Sequence, residues 1–170
     1  MSNNKLAIGI LSSHGGTNLQ AIIDSCNTGL VDAEVRVVIC NNSNAPALER
    51  ARRSRIPGFH LSSKTHPDPD LLDAIISSVL TNHGVELVAL AGYMKKLGSL
   101  TLKRYRGHVL NVHPSLLPKF GGRGMYGPRV HEAVLDSRET VSGATIHIVD
   151  EEYDHGPVVS QRQVPVLDHD

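Results

Sequence analysis

The chain has 170 residues, of which 17 are basic and 17 acidic, so its formal net charge at neutral pH is zero. This balance does not favour an extended nucleic-acid-binding surface, and two cysteines are too few for a disulfide framework or a four-thiolate zinc site. We expect one globular domain of a reduced, cytoplasmic protein, because the apolar run near the N terminus is too short for a signal peptide or a membrane span.

The first apolar segment, Lys5–Leu11, predicts a strand that leads through the loop SSHGGTN into a helix. Such a turn points backbone N–H groups and the positive end of the helix dipole at an anion, usually a phosphate. Gly16, Thr17 and Asn18 are therefore candidate phosphate ligands, and Thr17 or Asn18 is the predicted N-cap. The loop is neither a G-x-G-x-x-G fingerprint nor a P-loop with its lysine, so a turn that binds nothing stays an alternative.

Strands and helices alternate along the rest of the chain. The predicted strands after the first are 34–40, 58–61, 85–91, 109–112, 143–149 and 158–166, and the predicted helices after the first are 45–55, 70–82, 101–105 and 130–135. This alternation favours an α/β fold with a mainly parallel, doubly wound sheet in a single domain. We interpret the arginines of the second helix as a solvated face rather than a nucleic-acid patch: Arg50, Arg52, Arg53 and Arg55.

The segment LNVHPSLLPKF, residues 110–120, carries the most informative polar side chains. Asn111 and His113 alternate on a predicted strand and therefore share a face, and Pro114 follows where the strand ends. The carboxyl end of a core strand is where open α/β sheets place their chemistry. An amide can donate to an oxygen that becomes negative, and an imidazole can act as a general acid near neutral pH.

Asp154 is the third candidate, in the acidic turn Asp150–Pro157 between two predicted strands. A carboxylate beside His113 would stabilise the imidazolium and raise the pKa of that histidine. Amide, imidazole and carboxylate together suit acyl transfer to an amine without a covalent enzyme intermediate. No G-x-S-x-G elbow is present, and Cys26 and Cys40 fall in a predicted helix and at a strand end.

Four blocks, GGTNLQAIID, LVALAGYMKKL, LNVHPSLLPKF and VDEEYDHGPVV, resemble in this order the phosphoribosylglycinamide formyltransferase family. The resemblance implies a Rossmann-like formyltransferase fold. It also implies transfer of a formyl group from 10-formyltetrahydrofolate to the amine of glycinamide ribonucleotide in de novo purine synthesis. The folate would be a cosubstrate, with no metal and no tightly bound cofactor. We expect small-molecule substrates, no nucleic-acid or membrane partner, and a monomer or homodimer.

The resemblance also implies roles for individual residues. Asn111, His113 and Asp154 match the catalytic trio, in which Asn111 and protonated His113 stabilise the tetrahedral oxyanion and Asp154 orders a proton-shuttling water. Gly16, Thr17 and Asn18 match the loop that holds the ribonucleotide phosphate. The folate-binding residues are implied to be Met94, Lys95, Lys96, Leu97 and Asn111, with the turn 151–154 facing the pterin.

The chain departs from the family pattern at several points. Lys96 replaces an aliphatic residue of many relatives, and the glycine-rich loop 121–127 lacks a histidine present in some bacterial members. A further phosphate-binding arginine has no clear match, which leaves Lys64 or His66 as candidates. Relatives continue beyond VPVLDHD into a helix with a glutamate that contacts the ribonucleotide, so we expect residues 1–170 to be a formyltransferase domain without that helix.

Three alternative functions stay open. A 10-formyltetrahydrofolate hydrolase would use the same trio with water as the acceptor, although Pro114 after the histidine counts against it. A methionyl-tRNA formyltransferase is disfavoured by the short chain, the neutral charge and the phosphate loop. From a different class, a non-catalytic nucleotide-binding module would use only the GGTN loop.

Overall fold

The computed structural model describes residues 5–167, and the chain divides into two compact units, Met1–Val109 and Leu110–Asp170. The predicted domain, residues 1–170, therefore extends past the described residues at both ends. The chain end at Asp170, on which the expectation of a missing helix rests, lies outside them. No helix within residues 5–167 is long and apolar enough to cross a membrane.

The first unit alternates strands with helices. Its elements in the described residues are β1 (Leu6–Ser12), α1 (Thr17–Asn27), β2 (Ala33–Cys40), α2 (Pro46–Arg53), β3 (Gly58–His60), α3 (Pro69–Asn82), β4 (Leu87–Leu90) and α4 (Ser99–Arg104). The strands lie in the order β3-β2-β1-β4, and each of the three pairings is parallel. Their carboxyl ends consequently share one edge, which is where the loops 13–16 and 91–98 emerge.

The core of this unit is built from apolar strands that are covered by helices. Ile10 and Val38 are fully buried on β1 and β2, and Leu19 and Ala47 pack into the same cluster from α1 and α2. Strands buried on both faces read as continuous apolar runs, as both do here. Burial of one such large aliphatic side chain contributes roughly 1.5–3 kcal/mol. This packing holds the beginnings of α1 and α2 in place.

The second unit is an antiparallel arrangement with one helix in the part that the structure describes. Its elements are β5 (Val109–His113), α5 (Pro128–Asp136), β6 (Val141–Ile148) and β7 (Val158–Pro165). The strands lie in the order β5-β6-β7, and both pairings are antiparallel. In this register Asn111 lies opposite His147, and His113 lies opposite Thr145. The register therefore brings a second histidine to the candidate site.

The α/β class and the mainly parallel, doubly wound first half are confirmed, and every predicted helix and strand occurs within a few residues of its expected bounds. The fourth strand is shorter than predicted because the N–H of Val85 bonds to the carbonyl of Leu80 and belongs to the turn after α3.

The predicted N-cap of α1 is wrong. The helix begins at Thr17, and its N-cap is Gly16 in the left-handed region at φ +70°, without a side-chain hydrogen bond. A residue with a Cβ would be strained at this φ. That Cβ would also lie 3.0 Å from Cα of Ala47. Gly16 is therefore required both by the turn and by the close approach of α2.

Candidate active site

His113 and Asp154 form a buried pair in the second unit. Nδ1 of His113 lies 3.4 Å from Oδ1 of Asp154, and Nε2 of His113 lies 2.8 Å from the carbonyl oxygen of Phe120. His113 is only 3% exposed. Because both ring nitrogens face oxygen acceptors, the doubly protonated imidazolium satisfies both contacts. The predicted pairing of a carboxylate with His113 is present.

Burial and hydrogen bonding act on the pKa of His113 in opposite directions. Burial disfavours the charged ring, but the hydrogen bonds to Asp154 and to the carbonyl of Phe120 outweigh it and raise the pKa above its ordinary value. Burial likewise opposes ionisation of Asp154. The contacts from His113, from His147 and from the Gly122 N–H nevertheless hold the pKa of this carboxyl well below its usual range. An imidazolium–carboxylate pair near neutral pH follows.

Asn111 lies beside this pair and contacts a second histidine. Its Nδ2 lies 3.0 Å from Nε2 of His147 and 3.5 Å from Oδ1 of Asp154. The other ring nitrogen of His147, Nδ1, lies 3.1 Å from the carbonyl oxygen of Ile148, an acceptor to which its N–H can donate. Nε2 of His147 also lies 3.5 Å from Oδ1 of Asp154, so it contacts both the amide and the carboxylate. The amide nitrogen, rather than its oxygen, consequently faces the cluster.

The turn after β5 is fixed by the hydroxyl of Thr145, which is fully buried on β6. This hydroxyl donates to the carbonyl of Ser115 at 2.6 Å and accepts from the N–H of Leu117 at 3.0 Å. Its position holds the turn that ends at Phe120, whose carbonyl contacts His113. The end of the turn is also tied to the site, since the N–H of Gly122 donates to Oδ2 of Asp154 at 2.9 Å.

Three contributors to this cluster were not predicted: His147, the carbonyl of Phe120 and the N–H of Gly122. His113 was the one histidine predicted to be catalytic. The alternation in GATIHIV was a usable signal, because it places a polar ring on a buried strand. The carbonyl of Phe120 and the N–H of Gly122 are backbone groups, so the side chains at these positions do not indicate their contacts.

The candidate phosphate loop lies in the first unit, at the carboxyl end of β1. Gly16 is buried there, whereas Thr17 and Asn18 are exposed. The first backbone N–H groups of a helix have no intrahelical partner, and α1 has no side-chain cap to occupy them. By contrast, Asp68 accepts from the first turn of α3. The beginning of α1 thus offers backbone donors to an external anion.

The predicted folate segment follows β4 in the same unit. The N–H of Met94 donates to Oγ of Ser13 at 2.7 Å, and the N–H of Ser13 bonds to the carbonyl of Gly92 at 3.0 Å. These bonds tie the segment to the loop that follows β1. Leu97 is buried, while Lys95 and Lys96 are exposed. The exposed position of Lys96 accommodates a lysine where many relatives have an aliphatic residue.

The predicted site residues therefore form two groups. Asn111, His113 and Asp154 are together in the second unit. The phosphate loop and the folate segment share the carboxyl edge of the parallel strands in the first unit. Among residues 5–167, no group of three or more histidine, cysteine, aspartate or glutamate side chains is arranged to hold a metal ion. An amide donor beside an imidazole–carboxylate pair is the arrangement in the second unit, and this arrangement suits acyl transfer.

Comparisons with known proteins agree with this class. The family model described as formyl transferase matches residues 6–170. The chain is 38% identical over 163 residues to a phosphoribosylglycinamide formyltransferase of Haemophilus influenzae, covering 96% of this chain and 74% of that protein. It is 39% identical over 167 residues to the chloroplastic phosphoribosylglycinamide formyltransferase of Arabidopsis thaliana. That alignment covers 98% of this chain and 56% of the plant protein's length.

Solved structures give the same result. The crystal structure of glycinamide ribonucleotide transformylase 1 from Symbiobacterium toebii has a TM-score of 0.92 at 38% identity, covering 100% of this chain and 77% of that one. The chain belongs to the phosphoribosylglycinamide formyltransferases of the formyl transferase family. The family assignment and the enzyme class, a formyltransferase on an α/β fold, are thereby confirmed.

Proposed function

We propose that this chain transfers the formyl group of 10-formyltetrahydrofolate to the amine of glycinamide ribonucleotide in de novo purine synthesis. The observation that carries the proposal is the buried pair His113–Asp154 beside the amide of Asn111. This arrangement supplies a positive charge and a hydrogen-bond donor to a developing oxyanion, and the relatives named above support the acceptor. The folate acts as a cosubstrate rather than as a resident cofactor.

The reaction follows from this arrangement. The lone pair of the amine attacks the formyl carbon, a new C–N bond forms, and the formyl oxygen gains negative charge. The positive charge of the His113 imidazolium stabilises that oxygen electrostatically, and an N–H of Asn111 donates to it. The bond from Asn111 to Asp154, at 3.5 Å, is the longer of its two and is the donor released to the substrate. The carboxylate of Asp154 keeps His113 charged during this step.

The intermediate then collapses and the bond to the folate nitrogen breaks. The proton that the attacking amine loses reaches this nitrogen through a water ordered by Asp154, so that tetrahydrofolate and the formylated ribonucleotide leave with all protons accounted for. Because no covalent enzyme intermediate is needed, the cluster requires no nucleophile. The near-complete burial of His113 excludes bulk water from its ring.

The remaining sites are proposed from the sequence match and the geometry of the first unit. Gly16, Thr17 and Asn18 bind the ribonucleotide phosphate through the open N–H groups at the start of α1. Met94, Lys95, Lys96 and Leu97 of the first unit bind the folate, as the family resemblance implies, and the same resemblance implies folate-binding roles for Asn111 and the turn 151–154 of the second unit. We further propose a cytoplasmic monomer or homodimer with no nucleic-acid or membrane partner.

Hydrolysis of the same folate is the second candidate. A formyltetrahydrofolate deformylase from Pseudomonas syringae pv. tomato has a TM-score of 0.86 at 26% identity, where this chain covers 53% of that protein. The same histidine, aspartate and amide would serve if water replaced the amine. Lower identity and lower coverage make this candidate weaker than formyl transfer.

An absorbance assay with 10-formyldideazafolate, with and without glycinamide ribonucleotide, tests the proposal. We expect folate product to appear only when the ribonucleotide is present. Product formation at the same rate without the ribonucleotide would identify a hydrolase. If the folded protein produced no product with either acceptor, while His113→Ala still bound the ribonucleotide, the non-catalytic binding module would be the better description.

A further inference from the structure

Arg50 of α2 differs from the other arginines of its helix in what it contacts. Nε of Arg50 donates to the carbonyl of Gly15 at 2.8 Å, and Nη1 donates to Oε1 of Gln20 at 3.2 Å. Gly15 directly precedes the candidate phosphate loop, and Gln20 lies in the first turn of α1. The guanidinium thus spans the loop and the beginning of the helix that follows it.

The other arginines of α2 provide the comparison. Arg52 and Arg53 are exposed, and both pair with the carboxylate of Glu49. Arg50 is half-buried, and within residues 5–167 its described contacts are with neutral oxygens rather than with a carboxylate. A positive charge without a described counter-charge therefore lies at the loop proposed to bind a phosphate dianion. The solvated-face interpretation holds for Arg52 and Arg53 and not for Arg50.

Packing keeps the guanidinium at this place. The N–H of Ala47 donates to the carbonyl of His14 at 3.1 Å, and the backbone of α2 is so close to Gly16 that an added Cβ would meet Cα of Ala47. Arg50 lies one helical turn further along the same face of α2. With Nε and Nη1 engaged by the loop and α1, the planar guanidinium retains further donors on Nη2.

We propose that Arg50 is a positioning residue of the phosphate loop, holding Gly15 and the start of α1 in place and supplying the positive charge that the substrate phosphate requires. This inference rests on the proposed function and refines it. The sequence shows no clear match to the family's additional phosphate-binding arginine, for which Lys64 and His66 were the candidate replacements. Nδ1 of His66 lies 3.0 Å from Oγ1 of the adjacent Thr65, a contact within its own loop.

The test compares glycinamide ribonucleotide with the ribonucleoside that lacks its phosphate. For Arg50→Gln, we expect the KM of the ribonucleotide to rise about 10- to 100-fold, as for a lost hydrogen bond to a charged group, with kcat within about twofold. The value of kcat/KM for the ribonucleoside is expected to be unchanged, because no phosphate is present to sense the charge. The KM of the folate is expected to be unchanged as well.

Two further variants separate charge from bracing. Arg50→Lys keeps the charge and is expected to hold the ribonucleotide KM within about fivefold of the unmodified protein. Arg52→Gln, on the exposed face of the same helix, is the matched control and is expected to change neither KM. If Arg50→Gln lowered kcat/KM equally for the ribonucleotide and the ribonucleoside, the role of Arg50 would be purely structural and the proposal would be overturned. An unchanged KM of the ribonucleotide in Arg50→Gln would also overturn it.

A binding measurement distinguishes failure of this inference from failure of the proposed function. Calorimetric titration with ribose 5-phosphate needs no turnover, and we expect Arg50→Gln to bind it at least tenfold more weakly than does the unmodified protein. If formyl transfer were absent but this difference remained, the proposed function would fail and the role of Arg50 would stand. Equal binding by both proteins, or no binding by either, would overturn the role of Arg50. If Arg50→Gln did not fold, Arg50→Lys would decide the question through its ribonucleotide KM.

Discussion

Asn111 and His147 lie directly opposite each other on the antiparallel strands β5 and β6, with Nδ2 of the asparagine 3.0 Å from Nε2 of the histidine. Nδ1 of His147 faces the carbonyl of Ile148, and Nε2 faces both the amide of Asn111 and Oδ1 of Asp154, the latter at 3.5 Å. A flipped amide would turn its oxygen toward the carboxylate of Asp154. His147 and Asp154 together favour the orientation in which Asn111 presents N–H groups, which an oxyanion needs.

His147→Ala is therefore expected to lower kcat without affecting ribonucleotide binding. Without the contact to His147, the amide of Asn111 is less well oriented, and the stabilisation of the transition state decreases by about 1–1.4 kcal/mol. This loss corresponds to a five- to tenfold decrease in kcat. Steady-state kinetics with both substrates measure it. His131→Gln, an exposed histidine of α5, is the control and is expected to be neutral. A kcat of His147→Ala equal to that of the control would exclude the orienting role.

Asp154→Asn is expected to change the pH dependence as well as the rate. The carboxylate raises the pKa of His113, and the acid form of His113 is lost as the pH rises through that value. Removal of the negative charge lowers this pKa, so the alkaline limb of the rate profile moves to lower pH. The rate at neutral pH is expected to fall about 10²- to 10⁴-fold. Profiles of kcat/KM against pH measure both effects, and a near-normal rate would remove Asp154 from the mechanism.

The same pair makes stability depend on pH. Asp154 has a lowered pKa in the folded protein, so its contribution is present above about pH 3.9 and is lost as the pH falls through the folded value. His113 has a raised pKa, so its contribution is present below about pH 6.5 and is lost as the pH rises through the folded value. The contribution of the pair is therefore greatest between these two limits.

Urea unfolding of the unmodified protein and of Asp154→Asn at pH 5.5 and pH 9 measures this contribution. We expect the difference in the free energy of unfolding to be on the order of 1 kcal/mol larger at pH 5.5 than at pH 9. Equal differences at the two pH values would show that His113 is not charged beside Asp154 in the folded state.

Gly122 and Gly124 provide a matched pair of substitutions in the glycine-rich loop. Both have left-handed backbones, with φ +94° and φ +92°, and both have open space where a Cβ would stand. Alanine at either position costs about 1–2 kcal/mol of backbone strain. Of these two glycines, only Gly122 has a described hydrogen bond to Asp154, which its N–H makes at 2.9 Å. The strain part of the stability loss is therefore expected to be similar in Gly122→Ala and Gly124→Ala.

The two variants are expected to differ in catalysis. Relaxation of the strained backbone at residue 122 moves its N–H away from Asp154, which weakens the stabilisation of the carboxylate and lowers kcat about five- to tenfold. Gly124→Ala should retain most of its kcat. Measurements of kcat and of the melting temperature for both variants separate the two effects. Similar kcat values in both variants would indicate that the Gly122 bond does not support catalysis.

Much of the site could be predicted because local patterns carry it. The alternation of Asn111 and His113 on a short strand that ends at a proline, and the glycine turn between β1 and α1, depend on residues close together in the chain. The trio with Asp154, the α/β class and the family were predicted from these motifs and their order. The side chains of Asn111, His113 and Asp154 are indeed together in the structure.

What the sequence by itself determined about this protein is the alternation of its elements, the residue types of its proposed catalytic cluster and its family. Only the tertiary structure decided how distant segments meet: His147 reaches Asn111 across 36 residues, and Arg50 reaches Gly15 across 35. The N-cap prediction at Thr17 or Asn18 failed for the same reason, because the close packing of Ala47 on α2 requires Gly16 at that position. Strand register and helix packing depend on burial of the whole core, which no local pattern encodes.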